Sequence, residues 1–464
     1  MPPKFGTSGL RGLVTELTDN LISDYTHAFL KICPPKSTVH VGRDLRPSSP
    51  QISSTVIRTI NALGLTAVDH GALPTPALAL AAMSVGQSAI MITGSHIPAD
   101  RNGLKFYLPT GEITKSDEDT IMASLGTKPN MTAYGELVHE HKTIDAYVKR
   151  YVNAFGEKAL SGLRIGVYEH SSVARDALVV ALLNMGANVV RLARADHFTP
   201  VDTEAVDAQT RYLFKNWCVE HALDALVSTD GDADRPMVVD ENGTLVTGDI
   251  LGPIVAQMLD ADTICTPVSS NTAVDQIGFN KVVRTKIGSP YVIEAMEANC
   301  GRVVGYEANG GFILGFNAQG PSGMLGPLMT RDCLLPIVAP LARAKEKGVS
   351  LAQLISMMPQ RFTAADRIQG IPSETSQAFI AELTTDQRLR ARFFSGQAEE
   401  VRIDTTDGLR VSFADKTIIH LRPSGNAPEF RCYAEANTTA RAETLVQRSL
   451  TMVEDHLREH SSGA

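Results

Sequence analysis

The sequence predicts an α/β protein built as three similar mixed α/β domains followed by a C-terminal α+β domain. Three observations predict it. Apolar runs of strand length alternate with amphipathic runs of helix length up to about residue 362. Three of the buried strands run directly into loops of small and polar residues. Beyond residue 362 the pattern becomes alternating apolar and polar residues broken by turn signals, as in antiparallel strands.

In the first module "TVHVG" reads as a strand, "SPQISSTVIRTINAL" as an amphipathic helix, "LTAVD" as a strand and "PALALAAM" as a helix. "SAIMIT" then reads as a buried strand entering "GSHIPADRNGLKFY". The order recurs as "LRIGVYE", "SVARDALVVALLNMGA", "NVVRLA" and "LDALVST", the last entering "DGDADR". It recurs again as "DTICTPV", "SPYVIEAMEANC" and "RVVGYE", entering "ANGGF". The final region carries the alternating stretch "AEEVRIDTTDGLRVSFADKTIIHLRPSGNAPEFRCYAEA" and ends in the helical "TTARAETLVQRSLTMVEDHLREH". Domain boundaries are expected at 1–140, 141–245, 246–362 and 363–464. Open α/β sheets bind ligands at the carboxyl ends of their strands, so the three loops stand where sites form.

Composition restricts the function. The chain of 464 residues is 43% apolar and 20% charged, enough for several cores. Its net charge of −8 argues against nucleic-acid binding, which needs a basic face. The start "MPPKFGTSGLRG" has no apolar signal region and no run is long enough to span a bilayer, so a cytoplasmic location without membrane attachment is expected. The six cysteines form no C-x-x-C pair, which fits reduced structural thiols.

In "DGDADR", Asp230, Asp232 and Asp234 follow a strand at a spacing that can aim three carboxylates at one centre. Hard oxygen donors without nearby His or Cys suit Mg²⁺. A solvated turn is the plain alternative. An EF-hand would use Glu241 as the twelfth residue, but Arg235 stands where its glycine belongs, and "PMVVDENGTLV" reads as a hairpin. A haloacid-dehalogenase-type phosphatase also begins D-x-D after a strand, with Asp230 as nucleophile, but has Thr or Val where Asp234 stands.

Ser95 lies in "TGSHIPADRNGLK" among Gly94, Pro98 and Gly103, residues that allow close approach of a bulky group. It is either a turn former or a nucleophile, and it is not a G-x-S-x-G elbow. His96 is a candidate acid or base, although neighbouring side chains should diverge, and Lys105 is expected to supply a mobile cation. In "GYEANGGF", Glu307 and Asn309 could bond adjacent sugar hydroxyls or cap a turn. In "RPSGNAPEFR", Arg422, Ser424 and the amides of Gly425 and Asn426, with Arg431 closing the run, have the composition of a phosphate nest or of a plain surface turn.

Together "FGTSGLRG", the Ser95 loop, "DGDADR", "RTKIG" around Lys286, "EANGG" and "RPSGNAP" occur in the order of one family. The chain resembles the α-D-phosphohexomutases, a family of phosphoglucomutases, phosphomannomutases and phosphoglucosamine mutases. It departs from their pattern at Ile97, commonly Asn, and at Asn309, often Ser. The resemblance implies a fourth domain like the TATA-box-binding fold and one central cleft. It also implies that Ser95 carries a phosphoryl group and that Mg²⁺ is held by Asp230, Asp232, Asp234 and that phosphoserine. Arg11, Lys105 and Arg235 would offset the excess negative charge. The substrate would be a small sugar phosphate, docked on Arg422, Ser424, Gly425, Asn426 and Arg431, with Lys286, Glu307 and Asn309 touching the ligand. Transfer would pass through a hexose 1,6-bisphosphate, with His96 or Lys105 moving the proton. Mannose 6-phosphate to mannose 1-phosphate is the expected reaction, with a glucose-preferring or dual-specificity mutase as the alternative and a magnesium phosphohydrolase or a silent sugar-phosphate sensor behind it. A monomer or dimer is expected.

Overall fold

The computed structural model describes residues 3–6, 9–34, 38–127, 134–424 and 428–461. They form two compact units. The first contains Met1–Cys265, Phe279–Lys281 and Gly288–Met357; the second contains Thr266–Gly278, Val282–Ile287 and Met358–Ala464.

Three of the described sheets share one plan. In the first, Val39–Arg43 pairs in parallel with Ser88–Ile92 and Ala67–Ala72, and Arg101–Leu108 returns antiparallel to Ser88–Ile92. In the second, Arg164–His170 lies parallel to Asn188–Arg194 and Ala225–Thr229, and Pro236–Asp240 returns antiparallel to Ala225–Thr229. In the third, Thr263–Pro267 and Val303–Tyr306 are parallel, and Phe312–Leu314 returns antiparallel. The central strands Ser88–Ile92, Ala225–Thr229 and Val303–Tyr306 are buried throughout, as strands covered on both faces must be. Each of the serine, aspartate and "EANGG" loops is thus the connection by which a buried parallel strand turns into its antiparallel partner.

Helices follow their apolar spacing. Ser49–Ala62 starts with Pro50 in its first turn and buries Ile52, Val56 and Ile60, one turn apart, on the first sheet's core. The strand Arg101–Leu108 is a correction to the sequence reading, which ran a loop through Lys105. The polar "DRNG" hid an eight-residue strand whose residues 102–107 are all buried.

In the second unit five antiparallel strands lie in the order Phe362–Gln369, Glu429–Ala436, Ile418–Pro423, Leu409–Phe413 and Glu400–Asp404. Helix Thr439–Ser461 packs on this sheet, as expected from its pattern. Two helices not read from the sequence, Ser373–Thr385 and Gln387–Phe393, add Phe379, Leu383 and Phe393 to the same core. No described helix is long and apolar enough to cross a membrane. All six cysteines are free thiols, five of them buried.

Candidate active site

The serine loop is shaped by a buried arginine. Arg46, 1% exposed, sends Nε to Asp44 Oδ2 at 3.1 Å, Nη1 to the carbonyls of Pro98 (2.6 Å) and Arg101 (3.0 Å), and Nη2 to those of Ser95 (2.8 Å) and Ile97 (2.5 Å). Every N–H of the guanidinium has an acceptor, which is what burial of that charge requires. Asp44 in turn accepts from Thr93 Oγ1 at 2.8 Å, and Thr93 Oγ1 accepts from the amide of Ser95 at 2.7 Å. Gly94 leaves the room: a Cβ there would lie 2.6 Å from Arg46 Cζ. The loop is therefore held by its backbone, and the Ile97 side chain is not asked for a polar contact.

Held this way, Ser95 adopts φ +55°, in the left-handed region, and is 5% exposed. Its Oγ donates to Asp230 Oδ2 at 2.5 Å. His96 Nδ1 also lies 3.4 Å from Oγ, so the two neighbours converge where divergence was expected. Burial, reinforced by the nearby Arg235 cation, lowers the imidazole of His96 to about 3.

The aspartate loop closes on itself, with the amide of Asp230 donating to the carbonyl of Arg235 at 3.1 Å and Ala233 in a left-handed turn at φ +61°. One carboxylate oxygen from each of Asp230, Asp232 and Asp234 falls within 4.8 Å of the others, and all three residues are 0% exposed. Lys105, 2% exposed, donates to Asp232 Oδ2 at 2.6 Å and also to Asp234 Oδ2. The expectation of a mobile cation is corrected: a strand position pins this ammonium between two carboxylates. Thr75 Oγ1 adds a hydrogen bond to Asp232 Oδ2 at 2.9 Å, and Arg331 Nη2 one to Asp234 Oδ2 at 2.6 Å. Burial and repulsion from Asp232 and Asp234 push the Asp230 carboxyl well above the usual range. Burial is the largest influence and works to raise Asp232 and Asp234, but the surrounding cations together outweigh it, Lys105 and Arg11 at Asp232 and Arg331, Lys105 and Arg235 at Asp234, and hold both below that range.

Asp232 Oδ1 and Asp234 Oδ1 are buried without a hydrogen-bond partner. Unpartnered buried carboxylate oxygens are costly, and three hard donors in this array fit a Mg²⁺-type cation. The EF-hand alternative is excluded geometrically, because Glu241 Oε2 instead accepts from the amide of Ala352 at 3.1 Å.

Residues 2–131 match the phosphoglucomutase/phosphomannomutase α/β/α domain I, 145–243 domain II, 247–362 domain III and 366–451 the C-terminal domain. The chain belongs to the phosphoglucomutase/phosphomannomutase family. It is 44% identical to a phosphomannomutase of Sinorhizobium fredii (strain NBRC 101917 / NGR234) over 98% of this chain and 99% of that protein. It is 42% identical to a phosphomannomutase of Salmonella muenchen over 98% of this chain and 96% of the relative. In fold it is similar to a phosphoglucomutase/phosphomannomutase family protein of Burkholderia thailandensis, with TM-score 0.75, 22% identity and 97% of each chain covered.

Around this family core the remaining predicted residues divide between the units. Arg11 Nη1 lies over Gly103, where a Cβ would come within 2.7 Å, and donates to the carbonyl of Leu10 at 3.0 Å. Arg235 is 3.8 Å from both Asp202 and Glu204. Glu307 Oε2 accepts from Arg331 at 3.4 Å, and Asn309 Oδ1 accepts from the amide of Gly311 at 3.0 Å, within its own loop. In the second unit Asp407 Oδ2 accepts from the amide of Ile287 at 3.0 Å and lies 3.5 Å from Arg422 Nε, tying the Lys286 loop to Arg422. The amide of Ser424 donates to the carbonyl of Glu429 at 2.9 Å, and Arg431 pairs with Glu429 at 3.0 Å. Gly425 and Asn426 lie outside the described residues.

Sequence reasoning missed Arg46, Asp44, Arg331 and Asp407. "GRDLRPSSP" offered a signal for the first two, an Asp and an Arg directly after a buried strand.

Proposed function

We propose that the chain is a phosphomannomutase that interconverts mannose 6-phosphate and mannose 1-phosphate, with Ser95 as the phosphoryl carrier. The observation that carries the reading is Ser95 Oγ, 2.5 Å from Asp230 Oδ2, at the edge of three buried carboxylates, in a chain so similar to phosphomannomutases. Mg²⁺ would be held by Asp230, Asp232, Asp234 and the Ser95 phosphate, and when bound supplies charge neutralisation to the transferring group. Three aspartates and a phosphoserine outweigh one divalent ion, which accounts for the convergence of Lys105, Arg11, Arg235 and Arg331 on this site.

In the reaction a sugar hydroxyl oxygen forms a bond to phosphorus as the bond from phosphorus to Ser95 Oγ breaks. The hydroxyl proton would leave to a base and be returned to the Ser95 oxygen freed from phosphorus; His96, whose Nδ1 lies 3.4 Å from Ser95 Oγ, is the candidate for this, since Lys105 is already a cation paired with two carboxylates. The product, a hexose 1,6-bisphosphate, then returns its other phosphoryl group to Ser95. Arg422, Ser424 and Arg431, with Gly425 and Asn426, serve as the clamp for the phosphate that is not transferred, and Glu307, Asn309 and Lys286 contact the sugar phosphate. Positioning of reactants in this way is worth roughly 7 to 11 kcal/mol of barrier. The domain division 1–140, 141–245, 246–362 and 363–464 gives each domain one of these loops.

The test is turnover of mannose 1-phosphate by the full chain with Mg²⁺ and a trace of hexose bisphosphate, set against glucose and glucosamine phosphates. Mannose 1-phosphate is expected to have the highest kcat/KM. No turnover of any hexose phosphate, or a phosphoenzyme labile to hydroxylamine as an aspartyl phosphate is, would remove the proposal.

A further inference from the structure

Arg331 lies in the strand Leu328–Asp332, outside every motif read in the sequence, and is 4% exposed. Its Nη2 donates to Asp234 Oδ2 at 2.6 Å and its Nη1 to Glu307 Oε2 at 3.4 Å. Glu112 Oε1 stands 4.0 Å from its Nε, with that carboxylate fixed by Thr330 Oγ1 at 2.8 Å and Ser289 Oγ at 2.7 Å. One guanidinium therefore joins a carboxylate of the aspartate loop to the carboxylate of the "EANGG" loop.

The two glycines of that loop serve this junction in different ways. A Cβ on Gly311 would lie 2.7 Å from Arg331 Cδ and 2.9 Å from Cγ, so Gly311 makes room for the arginine stem. Gly310 has φ +92°, and a Cβ there would lie 2.7 Å from Pro236 Cγ, just beyond the aspartate loop. An ionic link and a close backbone contact thus fasten the two loops together.

We infer that Arg331 is a positioning residue that couples sugar binding at Glu307 to cation binding at Asp234, an inference that rests on the mutase reading above. A guanidinium is a rigid planar fork, so a shift of Asp234 toward a bound cation tilts the plane that also orients Glu307. Such outer partners of metal ligands set ligand orientation. Linkage makes the effect reciprocal: the factor by which the cation improves sugar affinity is the factor by which sugar improves cation affinity. An ammonium in the same place carries the charge without the fork.

The experiment measures KM and kcat for mannose 1-phosphate at saturating and limiting Mg²⁺. It compares the full-length wild type with Arg331→Met, Arg331→Lys, Glu307→Gln and the double variant Arg331→Met/Glu307→Gln, with circular dichroism as the check on folding. Limiting Mg²⁺ should raise the wild-type KM, and mannose 1-phosphate should lower the Mg²⁺ concentration needed to raise the melting temperature of wild type but not of Arg331→Met; a sugar phosphate that leaves the wild-type Mg²⁺ affinity unchanged overturns the coupling. Arg331→Met should raise KM about tenfold, within the usual range of such couplings, and remove its dependence on Mg²⁺, with a smaller change in kcat. The double variant should have the KM of Glu307→Gln within about twofold, as expected when one residue acts through the other. Should Arg331→Met fail to fold, Arg331→Lys and its double with Glu307→Gln are read by the same criteria. A wild-type KM indifferent to Mg²⁺, variants that keep the wild-type Mg²⁺ dependence, or losses that multiply in the double variant overturn the role of Arg331 alone. A wild type that turns over no hexose phosphate overturns the mutase reading, and this role with it.

Discussion

Ser95 Oγ donates to Asp230 Oδ2 at 2.5 Å across 135 residues of sequence, from a backbone held at φ +55°. A left-handed L-residue costs about 1–2 kcal/mol, a cost that alanine bears as serine does. Ser95→Ala therefore removes the hydroxyl without altering the backbone term. Its melting temperature should stay within about 4 °C of wild type, the equivalent of one hydrogen bond. Mutase activity should fall by about four orders of magnitude or more, and labelled phosphate should no longer be retained on the protein. Full activity in this variant would refute Ser95 as the carrier.

The cation site predicts opposite effects for two isosteric substitutions. Binding of Mg²⁺ to the folded chain alone should stabilise it by about 2.7 kcal/mol at a hundred times Kd, read as a rise in melting temperature that chelation reverses. Asp230→Asn and Asp234→Asn should both abolish that rise. Without metal they should diverge. Asp230 is repelled by Asp232 and Asp234, so its neutral replacement should melt higher than wild type. Asp234 balances Arg331 and Lys105, so its replacement leaves buried cations under-paired and should melt lower, by an amount of the order of 3–5 kcal/mol. Equal metal-free melting of the two variants would contradict this electrostatic assignment.

The loops were legible in the sequence because their chemistry is local: three aspartates in "DGDADR" or a serine among glycines can be seen without knowing the fold. The alternation of strands and helices was legible for the same reason. What holds the loops was not. Arg46 binds the carbonyls of Ser95, Ile97, Pro98 and Arg101, and a carbonyl is common to every residue, so this clamp leaves no trace in its partners' side chains. Arg331 joins Asp234 to Glu307 through pairings 97 and 24 residues apart, a relationship visible only once the sheets are assembled. Lys105 was misread because the polar residues before it concealed the strand that buries it.

Acid should weaken the first domain through a buried histidine pair. His40 Nδ1 lies 2.7 Å from His70 Nε2; Gln87 Oε1 is 2.7 Å from His40 Nε2, and Thr143 Oγ1 is 2.6 Å from His70 Nδ1. Glu140 and Asp69 are the acidic neighbours, and Asp69 is itself shared with Arg43 and His139 at 3.6 Å each. Burial, then the neighbouring ring, lowers His70 from 6.5 to about 4, and burial lowers His40. Between those values the unfolded chain binds a proton at His70 that the folded chain does not, so stability falls as pH drops from about 6.5 toward 4. Melting temperature should therefore decline over this window, and His70→Gln should flatten the decline. An unchanged slope in His70→Gln would show that the pair contributes nothing to acid sensitivity.

The Arg46 clamp predicts a loss of catalysis from a residue that need not touch substrate. Its guanidinium bonds to four carbonyls of the 95–101 loop and to Asp44, and its Cζ lies 4.1 Å from the centre of the Phe198 ring. Lysine keeps the charge but has three donors on one nitrogen, which cannot reach acceptors spread along the edges of a planar fork. Arg46→Lys should leave several loop carbonyls unbonded and let Ser95 relax from its left-handed φ, moving Oγ away from Asp230. A displacement of about 1 Å can cost about a hundredfold in rate, so kcat should fall by about that factor with KM nearly unchanged. Arg46→Met also leaves Asp44 buried without its cation and should destabilise the fold by about 3–5 kcal/mol. Together the two variants separate shape from charge: lysine should lower kcat more than it lowers melting temperature, whereas methionine should lower both. Wild-type kcat in Arg46→Lys would mean that Ser95 is positioned by something other than this clamp.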